Sequence, residues 1–300
     1  MKLVRHTTVE DFWYAAGPLL TADPIRNTVA LTVLARLRID ERFGEEDPIF
    51  LTVCEDDGRV VGAAFCTPPY PINVTAVPAE AMPLIVDHLV TTGIDVTTAN
   101  GLLPQADVFV SLWRERTGAV VAHRMEQRLY RLGELRPPAG VAGEPVLGSA
   151  DEVELLAQWR MAFAEEAEAH RADAHRADAH RAGDRWVESM RRQVRASLAL
   201  GNAQQLWQVD GRPVSFAAVN VPKNGMSRIG PVYTPKEFRN HGYGGAVTAA
   251  ASRWALDSGA EHVLLFTDLS NPVSNSIYQK LGYVPVADAL DVTFTPRRLP

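Results

Sequence analysis

The segment from Val232 to Gly245, VYTPKEFRNHGYGG, has residue types and spacing suited to holding an anion. It reads as the end of a strand, a tight turn and a helix that opens on glycines. At a helix N-terminus the first backbone N–H groups have no intrahelical partner, and the aligned peptide dipoles place roughly half a positive charge there. A phosphate fits such a site without any basic side chain. Gly242 and Gly244 let a ligand approach the backbone closely and accept positive φ at little cost. Arg239, just ahead of them, adds a cation beside the turn. Further along, Asn271-Pro272 suits a helix start, and Tyr278 on that helix is a phenol able to give up a proton.

These residues need a scaffold, and the apolar patterning supplies one. A strand from Met226 to Thr234 leads into the turn, and the alanine-rich helix after Gly244 ends at Ser258-Gly259. Val263–Thr267 reads as a short buried strand, the helix from Asn271 stops at Gly282, and a final strand runs from Asp291 to Thr295. Upstream, the acidic first turn at Asp151 starts a helix, and Trp186, Met190, Val194 and Leu198 share one face of another. Residues 49–67 and 205–221 each hold two apolar runs joined through Asp-Gly, a hairpin signal. The hairpins repeat after about half the chain, which indicates an internal duplication. Between the halves, Pro and Gly are dense and apolar periodicity is missing. The expected division is residues 1–135, a linker at 136–146, and residues 147–300, in an α/β fold built on mixed sheet.

With 300 residues and 46% hydrophobic content the chain can bury a sizeable core. A net charge of −6 argues against a nucleic-acid surface, which shows as a basic excess. The first residues lack the apolar core of a signal peptide, and no apolar run reaches the roughly 18 residues needed to span a membrane. A cytoplasmic protein, without membrane or nucleic-acid partners, is expected. Cys54 and Cys66 lie in apolar strand-like runs and read as small buried hydrophobes. The repeat HRADAHRADAHRAGD at 170–184 raises a metal reading through His170, His175 and His180. Their spacing argues against it, because a step of five residues turns a helical side chain by roughly 140°. A solvated helical repeat, or a segment over the site, is expected there, with no metal.

The joint pattern is more specific than its parts. Val232-Tyr-Thr-Pro, Arg239-x-x-Gly-x-Gly, and Asn271-x-x-Ser-x-x-x-Tyr278-x-x-x-Gly-Tyr283 together resemble the acetyl-CoA signature of the GNAT N-acetyltransferase superfamily. The likeness covers about residues 205–290, and the twin hairpins suggest two GNAT-like domains in tandem, the arrangement of mycothiol synthase. The resemblance implies transfer of an acetyl group from acetyl-CoA to a primary amine by direct attack on the thioester. It implies that backbone around Arg239, Asn240, His241, Gly242, Tyr243, Gly244 and Gly245 holds the pyrophosphate. It assigns Val232 and Thr234 to the pantetheine arm, paired like an added strand, and places Tyr233 between them at the cofactor site or lining the acceptor site. Asn271 and Asn275 join the cofactor site, and Asn271 also reads simply as an N-cap. Tyr278 is the expected proton donor to the leaving thiolate and also lies near the cofactor; packing in the core is the competing reading.

The base is open between Asp268, the cluster Glu165, Glu166 and Glu168, and a water chain. The strand 227–234 has no carboxylate where many relatives place a Glu. In the first half, residues 68–83 lack Arg-x-x-Gly-x-Gly and hold no glycine, so a degenerate domain without productive CoA binding is expected. A small-molecule amine is the leading acceptor; a peptide acceptor, or a non-catalytic acyl-CoA-binding regulator, are the alternatives. Monomer and homodimer are equally compatible with the sequence.

Overall fold

The structure, a computed structural model, describes residues 1–38, 47–169 and 183–295. His170, His175 and His180 lie outside the described residues. In chain order the elements are β1 (Lys2–His6), α1 (Val9–Ala22), α2 (Thr28–Leu37), β2 (Ile49–Cys54), β3 (Val60–Cys66), β4 (Ile72–Ala76), α3 (Met82–Thr91), β5 (Thr98–Leu102), α4 (Gln105–Thr117) and β6 (Val121–Leu132). There follow β7 (Glu144–Leu147), α5 (Val153–Ala169), α6 (Gly183–Ala199), β8 (Ala203–Val209), β9 (Arg212–Val219), β10 (Met226–Tyr233), α7 (Tyr243–Asp257), β11 (His262–Asp268), α8 (Pro272–Lys280) and β12 (Tyr283–Phe294). They pack as two compact units, Met1–Arg128 with Ala287–Pro300, and Leu129–Val286. Strands β6 and β12 each begin in one unit and end in the other.

In the first unit the strand order is β1-β2-β3-β4-β5-β12. Neighbours are antiparallel except β4 and β5, which run parallel. Every residue of β2 is buried, so the strand reads as a continuous apolar run with no alternation. Ile85, Leu89, Phe109 and Trp113 of α3 and α4 pack on Leu51, Val53 and Val74. Phe12 of α1 stacks on Phe50 with ring centroids 5.0 Å apart. The Asp-Gly turn places Gly58 at φ 89°, a conformation that favours glycine. Cys54 and Cys66 are free and buried.

The second unit repeats the theme, with order β6-β11-β10-β9-β8-β7 and a parallel pair at β10 and β11. Alternation along β9 assigns its two faces. Ala217 and Val219 pack with Val247, Ala251 and Ala255 on the α7 side. Phe216 and Ala218 pack with Leu156, Trp159 and Val194 on the α5 and α6 side. Alanines along α7 let that helix approach the sheet closely. The turn between β8 and β9 holds Asp210 and Gly211 at positive φ, as the Asp-Gly signal requires.

Some boundaries differ from the sequence expectation. Glu144–Leu147 inside and beside the Pro- and Gly-rich stretch forms β7, paired with Gln205–Gln208. A single four-residue edge strand with a proline inside it has no periodicity long enough to read. The last strand begins at Tyr283, earlier than Asp291, and its residues from Ala287 pack in the first unit. Among the described residues no helix is long and apolar enough to cross a membrane.

Candidate functional site

The sequence-singled turn sits where a sheet is locally open. Strand β10 pairs in parallel with β11 only from Met226↔His262 to Ile229↔Leu265. On its other side, pairing with β9 shifts register between Ile229↔Val219 and Val232↔Ala217, so β10 carries an extra residue at Gly230-Pro231. Such a bulge bends the strand and ends pairing. The last residues of β10 and of β11 therefore diverge, and Val232 and Tyr233 end β10 on a free edge.

From there the chain enters the turn. Asn240 at φ 66° and Gly242 at φ 83° take left-handed conformations, one of them on a residue type that tolerates it. Ala246 N–H donates to Gly242 O at 3.0 Å, so the amides of Tyr243, Gly244 and Gly245 precede the first intrahelical bond of α7. A Cβ on Gly242 would lie 3.1 Å from Val141 Cγ2, and one on Gly244 only 3.4 Å from Thr234 Oγ1. The Gly242 requirement is therefore conformational as well as steric. The His241 ring stacks on Tyr243 with centroids 5.4 Å apart, and its Nδ1 lies 2.7 Å from Arg239 O. Three backbone amides at a helix N-terminus are groups of the kind that bind anions without a basic side chain.

Arg239 is oriented away from a purely anion-facing role. Its Nε donates to Thr234 O at 2.9 Å, and its Nη2 donates to both Glu166 oxygens at 2.8 and 2.6 Å. The guanidinium also lies 5.9 Å from the Tyr233 ring centroid. Burial, then the Glu166 charge, push the Tyr233 phenol up. Thr234 Oγ1 and Ser215 Oγ are 2.8 Å apart.

On α8, Tyr278 is nearly buried, and burial pushes its phenol up to about 12. Its ring meets Tyr283 edge-on at 6.1 Å, yet its hydroxyl makes no hydrogen bond among the described residues. Tyr283, by contrast, is tied to Ser252 Oγ at 2.8 Å. Asn271 acts as the N-cap, its Oδ1 accepting from Ser274 N–H at 3.0 Å. Asn275 is committed within the protein. Its Nδ2 donates to Asp268 O and Asn271 O, and its Oδ1 accepts from Tyr130 O–H at 3.2 Å. Asp268 accepts from Ser270 N–H at 2.7 Å through Oδ1. Glu165 is exposed, while the side chain of Glu168 lies outside the described residues.

Several contributors carried no sequence signal. Pro138 and Val141, in the expected linker, lie against the positions of Gly245 and Gly242. Tyr130 and Gln279 brace the loop that bears Asp268 and Asn271 through contacts far apart in sequence. Trp159 packs its ring 6.5 Å from Tyr233.

The matching strand pair of the first unit is built differently. Pairing of β4 with β5 also ends early, at Asn73↔Asn100, and β4 also shifts register against β3 between Ala63↔Ala76 and Phe65↔Asn73. Here side chains close the opening. Asn73 Nδ2 donates to Asn100 Oδ1 at 2.9 Å, and Leu102 N–H donates to Thr75 Oγ1 at 3.2 Å. The helix that follows has no comparable row of amides, since Met82 N–H donates to Pro78 O, Pro83 has no N–H, and Leu84 N–H donates to Ala81 O. Among the described residues no group of three or more His, Cys, Asp or Glu could hold a metal ion.

Comparison with known proteins agrees with this geometry. The acetyltransferase (GNAT) family profile matches residues 157–283. A GNAT-family acetyltransferase from Colwellia psychrerythraea is similar in fold, with TM-score 0.57 and 10% identity over 98% of this chain and 100% of that one. A GCN5-related N-acetyltransferase from Sphaerobacter thermophilus has TM-score 0.57 and 15% identity over 97% and 94%. A tandem GNAT protein from the clavulanic acid biosynthesis pathway has TM-score 0.53 and 16% identity over 97% and 98%. No curated protein matches the chain. The family match spans the turn and the tyrosine helix, so residues 157–283 form a GNAT acetyltransferase domain.

Proposed function

We propose that the second unit is an acetyl-CoA-dependent N-acetyltransferase that transfers acetyl to a primary amine of a small molecule. The observation that carries this reading is the parting of β10 from β11 beside the amides of Tyr243, Gly244 and Gly245, with the Tyr278 hydroxyl left without a partner among the described residues. Those amides and the backbone from Arg239 hold the pyrophosphate. The free edge of β10 at Val232, with Thr234 following, pairs with the extended pantetheine. Asn271 and Asn275 act at one remove, by shaping the loop after β11.

The amine attacks the thioester carbonyl directly. A C–N bond forms, the C–S bond breaks, and Tyr278 gives its proton to the departing thiolate. A phenol pushed up to about 12 stays protonated at neutral pH, which suits a donor and not a base. Before attack the substrate ammonium gives one proton to Asp268 or to solvent through it, and the proton that the nitrogen loses after attack returns through solvent to Tyr278. Glu166 is occupied by Arg239, which makes it a weaker candidate for that task. In the first unit the stitched strand pair leaves no cradle, so one acetyl-CoA binds per chain.

Thiol release from acetyl-CoA with a panel of amines, aminoglycosides and peptides tests the reading. Release with a small amine is expected. Release with peptides alone would move the acceptor to a protein, and tight CoA binding with no release for any acceptor would make the chain a regulator.

A further inference from the structure

The cation next to a phosphate turn is readily taken for a phosphate ligand, but Nε and Nη2 of Arg239 are engaged within the protein. Nε reaches back to Thr234 O, which closes the turn onto the end of β10, and Nη2 grips both oxygens of Glu166 on α5. Glu166 cancels the charge that Arg239 would offer an anion. It also stands two helical turns from Trp159, on the same face of α5, and Trp159 packs against Tyr233 at the other end of the same strand-turn segment. Helix α5 thus holds the segment at two points, one apolar and one ionic.

We propose that Glu166 is a positioning residue for acyl-CoA: it anchors Arg239, and through it sets the path of residues 234–245 so that their amides converge on the pyrophosphate. This rests on the acetyl-CoA site proposed above. The two roles open to Arg239 predict opposite signs for the loss of Glu166. If Arg239 were a phosphate ligand, removing the carboxylate would free its charge and take away a nearby anion, and acetyl-CoA would bind more tightly. If Arg239 is a clamp, removal loosens the turn and binding weakens.

The test uses the full chain in four forms: wild type, Glu166→Ala, Arg239→Glu, and the exchanged pair Glu166→Arg with Arg239→Glu. Hydrogen exchange in the ligand-free proteins should show amides of residues 236–245 exchanging about tenfold faster in both single variants and slowing again in the exchanged pair. Calorimetry should show acetyl-CoA binding weakened roughly five- to tenfold in Glu166→Ala and largely restored in the exchanged pair. Unchanged exchange rates in Glu166→Ala, or tighter acetyl-CoA binding by that variant, would overturn the proposal. Absence of acetyl-CoA binding by wild type would count against the acetyltransferase reading instead, while the ligand-free exchange rates would still decide whether the clamp exists.

Discussion

Strand pairs β4/β5 and β10/β11 start from the same plan and end with different capacities. Each is a parallel pair whose first strand carries an extra residue against its antiparallel neighbour, so each is bent open at the same point. Register aligns Asn73 with Ile229, Asn100 with Leu265, and Thr75 with Pro231. Where the first unit has two amides and a hydroxyl that bond across the opening, the second has two aliphatic side chains and an imino acid. Ile229 and Leu265 go down into the core, and Pro231 offers neither a hydroxyl nor an N–H. The bulge makes a gap, and the side chains beside it decide whether the gap persists. The following link then differs in the same sense, with glycines at 242, 244 and 245 ahead of the first bond of α7, against Pro78, Pro83 and the bonded amides of Ala81, Met82 and Leu84.

The largest expected effect separates the chemical end of the second pair from mere binding. Tyr278→Phe should lower kcat by roughly 100-fold or more while acetyl-CoA binding stays within about twofold, measured by steady-state kinetics and calorimetry together. Unchanged turnover would remove the hydroxyl from the mechanism and leave Tyr278 as a core aromatic. In the first unit, Thr75→Val should cost on the order of 1–3 kcal/mol in denaturant unfolding, because the Leu102 amide loses its acceptor. It should create no new acetyl-CoA site, since the amides of Ala81, Met82 and Leu84 stay bonded within the protein and Pro83 has none. A gain of binding would show that the stitch alone closes that pair.

Alkali should distinguish the units more gently. Tyr278 and Tyr283 are both raised by burial, whereas Tyr14 and Tyr70 of the first unit are exposed. A phenol raised in the folded state contributes stability that is fully present below its ordinary value of about 10 and is lost as pH rises toward its folded value. Stability should therefore decline between about pH 10 and about 12, the value to which burial pushes the Tyr278 phenol, with hydrogen exchange accelerating first around α8. Equal acceleration in β2 and β3 would contradict this assignment.

Much of this was legible in the residues because it is local. The Asp-Gly turns require positive φ, the alanines of α7 allow close packing, and Gly242 ends a turn that only a residue without Cβ occupies easily. The parallel between the two halves was visible in hairpin spacing. What escaped is non-local. No pattern at Glu144–Leu147 announces a partner at Gln205–Gln208, and nothing in the last strand says that Ala289–Thr293 will pair with Thr98–Leu102. The roles of Asn275 and Glu166 depend on Tyr130 and Arg239, which lie far from them in sequence. Motif spacing can mark a polar residue near a site, but only the fold shows whether its donors face a ligand or the protein.

The central claim is that one strand pair is open to acetyl-CoA and the other is closed. Isothermal calorimetry of the full chain with acetyl-CoA tests it most directly, with Gly242→Val as the companion variant. One molecule should bind per chain, and Gly242→Val should weaken that binding by roughly 10- to 100-fold, because a β-branched residue at φ 83° costs about 1–3 kcal/mol and meets Val141. Two molecules per chain, or one whose affinity is untouched by Gly242→Val, would contradict it.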